Sequence, residues 1–212
     1  AKNVLDVVIV PAASTAKTMA DLKGKRIASG PGIQNVTLAK TVLERGGAVG
    51  ATVVELPIGQ HVAALAAGQI DGAYTLEPTG TIGRLNGTTR TLETGVIARY
   101  VLGDPMAPWF GGSASLTASF IKQHPEEAKK FVAAYGKGVA YVRSKSSEAR
   151  QFLKNYTAIE GALTSEVPLA AYTMYNEFTP ADVAHFQKFF DLFTEKGVFS
   201  KRLVVDSMLY KG

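Results

Sequence analysis

Up to Pro78 the chain alternates short β-type runs with helical runs, and proline or glycine stops most of them. This alternation constrains the fold more than any other feature. Val7-Val8-Ile9-Val10 is a continuous apolar run ended by Pro11, and Asp21 to Lys25 turn into a second run, Arg26-Ile27-Ala28-Ser29. From Asn35 to Arg45, Val36, Ala39, Val42 and Leu43 recur at helical spacing until Gly46-Gly47. Thr52 to Leu56 is β-type and meets Pro57, and His61 to Ala67 is helical and ends at Gly68. Asp71 to Leu76 is the last strand of the series, followed by Glu77-Pro78. The order βαβαβ predicts parallel strands joined by right-handed crossovers, and so an α/β lobe over about residues 8–118 with helices on both faces.

The rest reads differently. Thr89 to Leu92 and Ser113 to Ser119 are weaker strand candidates, after which the pattern turns helical. Pro125 suits a first helical position, Glu126 and Glu127 suit the positive end of the dipole, and an apolar stripe follows through Phe131, Tyr135, Val139 and Val142. A shorter helix is predicted from Glu148 to Asn155. Thr179-Pro180-Ala181-Asp182 is a capped start for a helix carrying Val183, Phe186, Phe190 and Phe193. Residues 119–212 thus read as a helical segment packed on something large.

Composition removes several function classes. The cysteine count is zero, which excludes disulfides, thiol nucleophiles and cysteine-held metals. The net charge of +5 comes from scattered lysines and arginines with no basic stripe and no interleaved aromatics, so nucleic acid is not an expected partner. No run approaches the length of a membrane span, and no signal peptide is visible; an export signal would lie outside this sequence. His61, His124 and His185 stand apart without a metal-ligand spacing, and no Gly-x-Ser-x-Gly elbow occurs. Neither a metal, a cofactor nor an enzymatic reaction is expected.

The informative loops follow strands. Ser29-Gly30-Pro31-Gly32-Ile33-Gln34-Asn35 joins a strand to a helix, where an α/β sheet opens its ligand crevice. Its glycines allow close approach, and the free N–H groups of a helix start suit an anion; a tight turn is the alternative reading. Thr75, Glu77 and Pro78 end another strand and should share that rim, with Glu77 either meeting a ligand or capping the next helix. Trp109, in a loop stiffened by Pro105 and Pro108, either stacks on a ligand or covers the core edge. The ligand-binding candidates are therefore Gly30, Gly32, Ile33, Gln34, Asn35, Thr75, Glu77, Pro78 and Trp109.

Met19-Ala20-Asp21-Leu22-Lys23-Gly24-Lys25-Arg26-Ile27 resembles a segment of bacterial solute-binding proteins. So do Gly30 with its polar helix start, Leu43-Glu44-Arg45-Gly46, Val53 with Glu55-Leu56-Pro57, and the run from Ala63 to Gly72. Glu77-Pro78, His124-Pro125-Glu126 and Ser147-Glu148-Ala149 continue the ordered series. The chain thus resembles the NMT1/THI5-like periplasmic binding proteins of ABC importers, the nitrate, sulfonate, taurine and thiamine-precursor type. The resemblance implies a type II periplasmic binding fold, two α/β lobes clamped around a small polar or anionic ligand, and delivery to a membrane permease. It places the protein in the periplasm or on a lipid anchor outside the cytoplasm. It also implies a further N-terminal stretch on the order of a hundred residues, most of a first lobe. Residues 8–118 would then be the second lobe, 1–7 a remnant of the hinge, and 119–212 the helices that complete the first lobe. The apolar surface left without that lobe would be exposed or would pair two copies in a homodimer. The runner-up is the effector domain of a LysR-type regulator. A third, enzymatic reading follows the pyrimidine-precursor synthases of the same superfamily, whose cysteine-rich motif is absent here. Sulfonate, carboxylate or nitrate suits the charge and the helix start, while a cationic or aromatic pyrimidine would use Glu77 and Trp109.

Overall fold

The computed structural model describes residues 4–212, so the first three positions of the expected hinge remnant lie outside the described residues. Five strands form one sheet: β1 (Asp6–Pro11), β2 (Arg26–Ser29), β3 (Thr52–Glu55), β4 (Gly72–Leu76) and β5 (Thr89–Thr94), in the order β3-β2-β4-β1-β5. As the crossovers require, β2 runs parallel to β3 and β4, with Ile27 opposite Val53 and Gly72, and Ala28 opposite Val54 and Ala73. The links are helix α1 (Ile33–Arg45) and helix α2 (His61–Ala66), and α3 (Thr79–Leu85) carries the chain from β4 over β1 to β5.

The sheet is mixed rather than parallel throughout, because β1 pairs antiparallel with both β4 and β5. The handedness rule constrains only strands joined through a helical crossover, and residues 12–25 bring β1 to β2 with a single 3-10 turn, Met19–Leu22. Alternate residues of β1 enter two cores. Val8 and Val10 pack with Ile27, Tyr74 and the buried face of α1, while Val7 and Ile9 pack with Ala28, Ala73 and residues Ala64 and Leu65 of α2. Burial on both faces explains the uninterrupted apolar run at Val7 to Val10.

From β5 the chain passes into a six-residue π-helix, Ile97–Leu102, that ends at Gly103 with φ of 75°. The expected strand from Ser113 to Ser119 does not form. Thr117 instead caps helix α4 (Ala118–Gln123), its hydroxyl accepting from the Phe120 amide at 3.2 Å. Helix α5 (Pro125–Ser144) begins at the expected proline. The expected helix from Glu148 to Asn155 is broken into α6 (Ser146–Ala149), a 3-10 turn and α7 (Leu153–Tyr156), and a further single turn, α8 (Leu163–Glu166), follows. Helix α9 (Pro180–Glu195) starts with the expected capping box, Thr179 and Asp182 bonding reciprocally.

The two long helices are covered unequally. Phe193 and Leu192 of α9 sink into the core beside α1 and the π-helix, and each such burial contributes roughly 2 kcal/mol. Along α5 only Ala128 and Val139 are buried, and Phe131 is 43% exposed. The segment before α9 is tied to α5 by Arg143, which grips Glu177 through two 2.7 Å bonds and also donates to the Tyr172 carbonyl. Among the described residues no helix is long and apolar enough to cross a membrane.

Candidate ligand rim at the strand carboxyl ends

Parallel pairing brings the carboxyl ends of β2, β3 and β4 to one edge of the sheet, with Gly30, Glu55 and Glu77 following or ending them. Gly30 is buried, and a Cβ there would stand 3.2 Å from both Asn35 Nδ2 and Ile58 Cγ1, so the loop closes tightly on itself. Gly32 sits at the cap of α1 with φ of 97°, a conformation that disfavours any other residue. No side chain caps this helix. Among the described residues, no carbonyl or side chain accepts from the amides of Ile33, Gln34 or Asn35. The Asn35 amide group is turned back to the Pro31 carbonyl at 2.9 Å, and Ile33 is 66% exposed. The first turn of α1 therefore presents open donors to solvent at the positive end of a thirteen-residue helix.

An oxyanion of the chain already rests beside these donors. The Gly32 N–H donates to Glu55 Oε2 at 3.0 Å. Sequence reasoning passed over Glu55, although it ends β3 on the same rim and the rule that selected Gly30 and Glu77 applies to it equally. Glu77 takes the second of its two expected roles. Its Oε2 accepts from the Thr81 amide at 2.9 Å, so it caps α3 from a half-buried position.

The other candidates divide. Thr75 is 2% exposed, its hydroxyl enclosed without a partner, and Pro78 is half-buried after a cis Glu77-Pro78 bond. Trp109 is placed with the aromatic cluster of α9 rather than with the rim. Its ring lies 6.1 Å from that of Phe189, and its indole N–H is buried and unpaired.

Beneath the rim, His61 is fully buried at the start of α2. Its Nε2 lies 2.9 Å from the Leu56 carbonyl, which can only accept, so Nε2 carries the proton and Nδ1 faces the interior unpaired. Burial lowers its pKa, opposed by the hydrogen bond to the Leu56 carbonyl. On the neighbouring strand end Asp6 is 3% exposed and accepts from the Ile97 amide at 2.7 Å. Burial raises its pKa, opposed by amide hydrogen bonds of which the one from Ile97 is the largest. A shallow cavity of about 280 Å³ adjoins Leu56, Gln60 and Ala64, and another of about 270 Å³ lies beside Lys129, Tyr175 and Tyr210.

Comparison with solved structures places this architecture. The periplasmic aliphatic sulphonate-binding protein SsuA of Escherichia coli superposes with a TM-score of 0.72 at 18% identity, covering 100% of this chain and 67% of its own. The periplasmic sulfonate-binding protein SsuA of Methylobacillus flagellatus KT gives 0.70 at 24% identity, covering 99% of this chain and 64% of its own. The desulfurization enzyme DSZB gives 0.70 at 12% identity over 98% of this chain. The chain therefore spans about two thirds of the length of the sulfonate-binding proteins it resembles. A search of curated protein sequences returns no match. The family model described as NMT1/THI5 like matches residues 2–149, well over half of the chain, and the chain belongs to the NMT1/THI5-like family.

Proposed function

We propose that this chain is the larger part of the solute-binding component of an ABC importer, which holds a small anionic ligand at the first turn of α1 and presents it to a membrane permease. The observation that carries the reading is the uncapped α1 start, with three open amides beside an N–H that already holds a carboxylate oxygen. A sulfonate is the preferred ligand class. It offers several acceptor oxygens to convergent N–H groups, and two structural neighbours are named as sulfonate-binding proteins. Capture without chemistry suits a rim whose carboxylates serve as an amide partner and a helix cap, although DSZB shares the fold. The protein works outside the cytoplasmic membrane in this reading. Residues 8–118 form one lobe, and the exposed stripe of α5 is covered by the rest of a second lobe.

Calorimetric titration of this chain, and of a form extended to the length of its relatives, tests the proposal. Methanesulfonate should bind at least about tenfold more tightly than neutral methanesulfonamide, since hydrogen bonds to a charged group contribute about 1.5–3 kcal/mol each. Glu55→Gln should tighten methanesulfonate binding by removing a competing anion, and Asn35→Ala should weaken it by loosening the loop. Equal binding of the two probes, or none of either by the extended form, refutes the reading.

A further inference from the structure

The π-helix Ile97–Leu102 is the part of the fold that ligand capture leaves without a role. Helices of this register are rare, their hydrogen bonding is suboptimal, and they persist where surroundings hold them. Here three side chains from three elements do so. Asp6 of β1 accepts from the Ile97 amide at 2.7 Å. Arg45, the last residue of α1, donates through Nη1 to the Tyr100 carbonyl at 2.9 Å and the Val101 carbonyl at 3.3 Å. Lys188 of α9 donates to the Leu102 carbonyl at 2.6 Å. The groups match the helix dipole, with an accepting carboxyl at the amino end and cations at the carboxyl end. Beyond it Gly103 turns the chain through a left-handed conformation, and residues 103–117 contain no helix or strand before α4. The sheet hands over to the helical half at this helix, and α9 returns to pack on it.

We propose that Ile97–Leu102 is a two-register joint, held in the π register by Arg45 and Lys188 and free to relax to the α register when either lets go. Relaxation changes which carbonyl each amide reaches, and so turns the chain from Gly103 through α5 relative to the sheet, while α9 stays seated on the core through Leu192 and Phe193. Arg45 is the coupling residue, a positioning role. Helix α1 is one rod of thirteen residues, about 20 Å long, with the open amides at one end and this guanidinium at the other. Anything that draws on the first turn of α1 displaces Arg45 from the joint. The joint itself does not depend on what the rim binds.

The chain has no cysteine, so a pair of nitroxide labels can be placed without background at exposed positions on the two halves, Ala67→Cys after α2 and Lys137→Cys on α5. Arg45→Met and Lys188→Met should each accelerate amide exchange across Ile97 to Asp104 by about tenfold, leave the β2 and β4 amides unchanged, and add a second inter-label distance. Arg45→Lys, with a single ammonium in place of the fork, should fall between. Unaltered exchange with one unshifted distance overturns the proposal. So does a loss of protection spread evenly over β2, β4 and the π-helix, which would make the two cations general supports of the fold.

Discussion

Replacing Gly83 with alanine sets two effects of opposite sign against each other. Inside a helix alanine is better than glycine by about 1 kcal/mol, so the change taken alone stabilises α3. Yet the added Cβ would fall deep inside the envelope of Thr89 Oγ1, and would stand 3.1 Å from Thr89 Cβ and 3.3 Å from its Cγ2. Thr89 opens β5 opposite Pro11 and is 3% exposed, so it has little room to retreat. Either its side chain leaves its rotamer or α3 lifts from the sheet, and overpacking of this kind costs about 1–3 kcal/mol. The clash should at least cancel the helix gain, for a net loss of up to about 2 kcal/mol and a fall in Tm of up to about 8 °C at this chain length. Urea unfolding should show a lower midpoint at unchanged m, and Thr89→Ala in the same chain should restore what Gly83→Ala removes. Because α3 begins at the Glu77 cap, the single variant should also disturb the rim, and the pair should not. A Gly83→Ala chain more stable than the parent by the helix-propensity amount would refute the contact between α3 and β5.

Gly32→Ala meets no atom within 4 Å but must adopt φ of 97°, so it should cost about 1–2 kcal/mol, read by the same urea titration. Two buried groups give opposite acid responses. His61 has its pKa lowered by burial, so the unfolded chain takes the proton more readily. Stability should fall as pH drops below about 6.5, an effect His61→Gln abolishes in pH-dependent melting. Asp6 has its pKa raised by burial, so the folded chain takes the proton more readily. Its share of stability is present near pH 3.8 and below, and is lost as pH rises through the raised value; Asp6→Asn should flatten that slope. Arg143 and the Met174 amide hold Glu177 down to about 2, so the tie between α5 and residues 172–177 persists to low pH. Arg143→Met should open that segment to limited proteolysis at neutral pH.

Helix-linked strands were legible because each carries its own period and its own stop. Ile27, Val54 and Ala73 lie on neighbouring strands as the crossovers demand, and Thr179-Pro180-Ala181-Asp182 caps its helix through local chemistry alone. What failed lacked such local information. The direction of β1 depends on how residues 12–25 wander, which no crossover restricts. Ser113 to Ser119 is polar and alternating enough for a strand, but Thr117 finds the Phe120 amide first. The segment from Val96 to Leu102 has no pattern that distinguishes a π-helix from an α-helix, since the side chains that hold it come from positions 6, 45 and 188. In the candidate site, the Gly30 to Asn35 loop could be read from its place after a strand. Glu77 and Trp109 could not be assigned, because each had two roles open that only the fold decides.

The thinly covered stripe of α5 bears on how the chain behaves in a tube. Its twenty residues make a rod about 30 Å long, with Phe131 at 43% exposure along it. A net charge of +5 pushes copies apart, but the reach of that push is set by dissolved ions. At about 0.01 M salt it extends about 30 Å, the length of the rod, and at about 0.15 M it shrinks to about 8 Å. Chains in dilute buffer should therefore stay dispersed, whereas physiological salt lets the apolar stripes meet and colloidal stability falls.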